Sequence, residues 1–168
     1  MRHRFCMEDV ACHIRPVAKP ARRRSTRSAT RCSRCWTSCW KRSARARVAS
    51  ETAAEIHDPE LHRLVAGIRL DEAHWCSVLV DAIRSLNATP TRKTGAFYEK
   101  AMAIDDLAER MAFLNRGQRW VVRKLQALLP TLDNPEIHHA LTLMLVSHEK
   151  NIGHVDARLR EGHQAPPP

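Results

Sequence analysis

The sequence predicts an all-α chain in which four helices pack lengthwise as a bundle, with a long connection between the second and third. Three observations carry that prediction. From Asp58 to Ala88, Leu61, Val65, Ile68, Trp75, Leu79, Ile83 and Leu86 recur at helical spacing and draw one apolar stripe. Glycine and aromatic residues are scarce, at 5 glycines and 5% aromatic, a balance that favours helix over sheet. A helix-opening signal also occurs twice, as Asp58-Pro59-Glu60-Leu61-His62 and as Asn134-Pro135-Glu136-Ile137-His138, 76 positions apart.

Each helix follows from its own residues. Arg47–Ile56 reads as the end of a first helix, stopped by His57-Asp58-Pro59. The second opens with Asp58 as N-cap, Pro59 at the first helical position and Glu60 at the positive helix end. It closes near Asn87, and the turn-rich stretch Thr89–Gly95 follows. Ala96–Ile104 predicts a short helix lying across the bundle. Asp105 or Asp106 then caps the third long helix, with Leu107, Met111, Leu114, Val121, Leu125 and Leu128 on one face, and Pro130 ends it. The fourth runs from Asn134 with Ile137, Leu141, Met144, His148, Ile152, Val155 and Leu159 in its stripe. Residues 161–168 form a polar, proline-ended tail expected to be disordered. Gly67, Gly117 and Gly153 are isolated helical glycines, expected at close helix–helix contacts.

Charge divides the chain. Residues 1–49 hold fourteen Lys and Arg against Glu8 and Asp9, whereas the remainder holds fourteen against sixteen acids. The net charge of +10 therefore belongs to a terminal segment and not to the helical body. Cys6, Cys12, Cys32, Cys35 and Cys39 fall in that same segment, leaving Cys76 alone in the helices, as a buried thiol. No run is apolar enough to span a membrane and no secretory h-region is present, so a cytoplasmic location is expected. Residues 1–46 carry no periodicity. Read one phase over, Cys35–Ala46 permits an amphipathic Leu/Glu/Ala helix continuous with Arg47–Ile56, so an out-of-frame origin is expected for residues 1–46. A nucleic-acid arm built on Arg22-Arg23-Arg24 is a weaker alternative. The expected organisation is a basic segment over 1–46, a bundle over 47–160 and a tail over 161–168.

Three stretches, Ser50–Leu61, Arg92–Ala101 and Ser147–Gly153, resemble an uncharacterised bacterial family of ferritin-like proteins of unknown function. The resemblance implies a ferritin-like four-helix bundle with a long crossover between its second and third helices, the first helix being degraded in this chain. Metal-binding members of that superfamily place a Glu on helices one and three and Glu-x-x-His on helices two and four. Carried over, the pattern is broken. Glu72 has Trp75 at i+3, Asp71-x-x-His74 has the spacing one residue off the stripe, the third helix offers Asn115 and Gln118, and Glu149 has Ile152 at i+3 with His148 beside it.

Two readings of these residues compete. Glu72, His74, His148 and Glu149 could ligate iron or manganese in a metal-dependent oxidoreductase or metal-storage protein. The favoured reading needs no metal: an ionised Glu72 inside a bundle requires a partner, and a hydrogen-bonded Glu72–His148 pair satisfies both side chains. Gln118 and Arg116 are alternative partners for Glu72. The expected function is then structural or interactive, without an intact di-metal centre. An incomplete first helix leaves apolar stripe to cover, which favours a homodimer.

Overall fold

The computed structural model describes residues 44–90 and 96–164. Five helices carry them: α1 (Ala44–Ala54), α2 (Pro59–Ser85), α3 (Phe97–Met102), α4 (Leu107–Leu128) and α5 (Pro135–Gln164), with a 3-10 turn at Leu129–Thr131. No strand occurs among the described residues.

The ends of the helices are closed by the residues expected to close them. The Glu60 amide donates to the Asp58 side chain at 3.1 Å, the Glu109 amide to Asp106 at 2.8 Å, and the Ile137 amide to Asn134 at 2.9 Å. Each bond satisfies a donor that the first turn leaves without an intrahelical acceptor. At the far end of α2, Asn87 takes a left-handed conformation (φ 56°). Its amide bonds the Arg84 carbonyl and the next amide, of Ala88, reaches back to Ile83, which closes the helix as a Schellman motif. Asparagine tolerates that backbone better than any β-branched residue.

Cross-helix bonds give the directions. Glu72 meets Arg45 while Glu55 meets Arg110, so α1 runs antiparallel to α2 and to α4. Asp71 bonds Ser147 and Asp58 pairs with Arg158, so α2 and α5 are antiparallel. Asn115 bonds the Ile152 carbonyl, making α4 and α5 antiparallel as well. Helices α2 and α4 therefore point the same way, and the chain between them, with α3 in it, must return along the bundle. This connectivity is compatible with a ferritin-like arrangement.

The apolar interior has two parts. One gathers Val48, Ala49, Ala53, Ile56, Val65, Ile68, Ala101, Met111, Leu114 and Val155, with Phe97 packed against it. The other gathers Trp75, Cys76, Leu79, Ile83, Val121, Leu125, Leu128, Ile137, Leu141 and Met144, with others of α2.

Three local expectations change. Helix α1 already includes Ala44, and Arg45 and Ala46 are buried in it, so the bundle reaches past the boundary set at residue 47. Helix α5 continues to Gln164, past the boundary at 160; only residues 165–168 of the expected tail lie outside the described residues. The glycines separate into two kinds. A Cβ at Gly117 would come within 2.8 Å of the Phe97 ring, so here the crossover helix does press on the bundle, but Gly67 and Gly153 have nothing within 4 Å.

Candidate functional site

Between the two apolar clusters, the interior turns polar. Glu72 from α2, Arg45 from α1, Gln118 from α4 and His148 from α5 are 3%, 5%, 1% and 1% exposed. They belong to one cross-section of the bundle. Arg45 contacts Glu72, and its Cδ lies 3.5 Å from where a Gly117 Cβ would stand. His148 faces Glu72, and the Asn115–Ile152 contact sets Gln118 level with His148 one turn further along the antiparallel pair.

Glu72 is held by Arg45. The guanidinium Nε donates to both carboxylate oxygens, at 2.9 Å each. Such a charge-assisted clasp gives a buried carboxylate the partner it would otherwise lack. The sequence reading missed this partner: Arg45 lies in the stretch read as out of frame, and nothing in the local pattern pointed it at Glu72.

The expected Glu72–His148 hydrogen bond is not formed. The two side chains do meet in the core, but His148 Nε2 stands 3.7 Å from Glu72 Oε1, beyond hydrogen-bond reach. The reason is the imidazole's other nitrogen. Nδ1 lies 2.9 Å from the Met144 carbonyl, which can only accept, so Nδ1 carries the proton. Burial holds the imidazole below the usual histidine range, with Arg45 adding to that effect and Glu72 opposing it. A neutral ring protonated at Nδ1 leaves Nε2 an acceptor, and a carboxylate oxygen lies 3.7 Å from it. Two acceptors cannot bond each other. Nε2 accordingly has no hydrogen-bond partner, and neither has the side-chain amide of Gln118.

The other candidates lie elsewhere. His74 is exposed, its ring set edge-on to Trp75 at 4.6 Å between centroids. Glu149 is exposed and meets Gln126 at 3.4 Å. Asp71 accepts from Ser147 and Asn151 at 2.8 and 2.9 Å, tying α2 to α5 outside the core. Asn115 donates to Asp156 at 2.8 Å, and Arg116 is exposed against Phe113. Of Glu72, His74, His148 and Glu149, the fold thus brings only Glu72 and His148 together. Among the described residues no group of three or more His, Cys, Asp and Glu side chains converges to hold a metal ion. Among the described residues, the buried layer brings together one carboxylate, clasped by Arg45, and one imidazole.

No helix among the described residues is long and apolar enough to cross a membrane. The basic run at Arg22–Arg24 and the cysteines before residue 40 lie outside the described residues. No curated protein and no solved structure is significantly similar to the chain. A family model described as a domain of unknown function, DUF6306, matches residues 40–157, and the chain belongs to that family.

Proposed function

We propose that this DUF6306 chain serves as a helical structural or interaction module, built on a ferritin-like bundle and working without a di-metal centre. The observation that carries this reading is the Arg45–Glu72 clasp. A ligating carboxylate gives its lone pairs to a metal ion, whereas here both oxygens accept from one guanidinium. The exposed positions of His74 and Glu149 support it further, since neither reaches the core. Leu70, Leu143 and Val146, exposed at 59%, 49% and 56% on α2 and α5, suit a protein that meets another protein surface, a second copy included.

Metal analysis of the purified full-length chain, expressed with added iron and manganese, tests the reading. The expected content is far below one ion per chain. Stoichiometric iron or manganese that disappears in Glu72→Ala would replace this reading with the oxidoreductase or storage alternative. The family match from residue 40 and the buried position of Arg45 support Ala44–Ala46 as native helix. Any change of reading phase then belongs upstream of residue 40, and the nucleotide sequence over codons 20–50 checks that.

A further inference from the structure

The exposed face of α4 is a basic stripe. After residue 49 the chain holds fourteen Lys and Arg against sixteen acids, yet α4 alone takes five of those cations with a single acid, Glu109 in its first turn. Arg110 is buried and bound to Glu55, whereas Arg116, Arg119, Arg123 and Lys124 are exposed. At 3.6 residues per turn these four fall within an arc of about 140°, turned away from the buried Leu114, Val121 and Leu125. Arg119 is paired with Asp156 of α5. Among the described residues, Arg116, Arg123 and Lys124 have no acid within ion-pair distance. Two aromatic rings share the face, each partly exposed. Trp120 lies between Arg116 and Arg123 in the stripe, with the Lys124 ammonium 5.5 Å from its ring centroid, and Phe113 has the Arg116 guanidinium at 5.4 Å. Ring and charge therefore stand within one nucleotide's reach of each other.

We infer that the α4 face binds single-stranded nucleic acid, with backbone phosphates on Arg116, Arg123 and Lys124 and a base stacked on Trp120. Clustered cations attract a polyanion through release of its counterions, and an aromatic ring accepts the flat face of any base. A single strand fits better than a duplex, because only unstacked bases can reach a ring at the protein surface. An anionic membrane fits less well. A helix that lies in a bilayer surface turns bulky apolar residues toward the lipid, but Met111, Leu114, Val121, Val122, Leu125 and Leu128 are buried in the bundle. This site goes beyond the metal-free interaction reading and is separate from the exposed Leu70, Leu143 and Val146 of α2 and α5, so its failure leaves that reading standing.

The test titrates a fluorescently labelled oligothymidylate with the full-length chain and follows anisotropy over a series of salt concentrations. Arg116→Gln/Arg123→Gln/Lys124→Gln should weaken binding about tenfold or more and flatten the slope of log K against log salt by about 2, at roughly 0.7 per phosphate contact on a single strand. Trp120→Leu should weaken binding about tenfold with the salt slope unchanged, and Trp120→Phe, which keeps a ring, should recover most of that loss. The three glutamines replace exposed side chains, so that variant carries the test even if Trp120→Leu does not fold; circular dichroism and melting identify the folded variants. Absence of binding by wild type overturns the inference. So does a triple variant that binds as wild type does, with binding lost instead in Arg22→Gln/Arg23→Gln/Arg24→Gln. Equal affinity for a duplex of the same length, or for phosphatidylserine–phosphatidylcholine vesicles, overturns the assignment to a single strand.

Discussion

The two apolar halves of this bundle are built differently. The cluster around Leu79, Leu125, Leu141 and Met144 is assembled from the large apolar side chains of three long helices. The cluster around Val48, Ala53, Val65 and Met111 draws on α1, whose buried face is mostly alanine and valine. So small an apolar face gains little from burial alone. Polar clasps hold it instead: Arg45 on Glu72, Arg110 on Glu55 at 2.6 Å, and Tyr98 on Glu51 at 2.7 and 2.9 Å, with the Arg47 guanidinium stacked on the Tyr98 ring. One half is secured by volume and the other by direction. Hydrogen bonds and ion pairs require particular partners, so the α1 half gains register from a set of contacts that add modestly to stability.

The largest expected effect breaks the directional half. Arg45→Met leaves Glu72 buried without its clasp and should cost about 4 kcal/mol, whereas Arg45→Met/Glu72→Met should recover most of it. Chemical denaturation gives the totals, and native-state hydrogen exchange should show the single variant losing protection first in α1. A double variant as unstable as the single one would mean that the pair is not the fastening.

Leu125→Ala attacks the other half, at a side chain that is 0% exposed. Loss of its methyl groups plus the remaining cavity should cost about 3 kcal/mol. Here the protection of α2, α4 and α5 should fall together, because a packed core transmits the loss across every helix that lines it. Selective opening of α1 in this variant would erase the distinction between the halves.

Gly117→Ala probes the junction between the crossover and the bundle. The new methyl group would meet Phe97 Cε2 at 2.8 Å, and that ring is already packed on Phe113 with centroids 5.0 Å apart. The ring must shift against Phe113 to admit the methyl group, and a cost of roughly 1–3 kcal/mol is expected. The companion variant Gly67→Ala meets nothing, so it should be neutral or slightly stabilising through helix propensity. Melting temperatures of the two variants separate packing from propensity.

The smallest effect is a pH dependence lodged in the layer between the halves. Burial lowers the pKa of His148 from its ordinary value of 6.5, so the native state favours the neutral ring. The unfolded chain binds the proton more readily. Stability from this group is thus complete above pH 6.5 and falls as the pH drops through that value, by at most about 1.4 kcal/mol per pH unit. Melting curves between pH 7.5 and 5 should show the decline in wild type and a shallower one in His148→Phe. Equal slopes would assign the dependence to other groups.

Most of the helical layout was legible before any coordinates. Asp58, Asp106 and Asn134 cap helices because short polar side chains reach amides two or three residues ahead, and that reach is written in local order. The stripes of α2, α4 and α5 follow from 3.6-residue spacing, and they placed Glu72 and His148 in the interior correctly. Helix α1 was harder to read. Its apolar face is small, Arg45 falls in the stretch assigned to another reading frame, and a basic residue in an arginine-rich stretch carries no mark of its partner. Gly67 and Gly153 were indistinguishable from Gly117 for a similar reason, since a glycine records no identity for what approaches it.

By itself, then, the sequence determined which segments are helices, where they end and which residues turn inward, because those properties depend on neighbours within about one helical turn. The tertiary structure alone decided that Arg45, 27 positions before Glu72, would take the carboxylate and leave His148 Nε2 3.7 Å from it. Competition among buried donors is settled by three-dimensional distance and desolvation, and neither is encoded in local spacing.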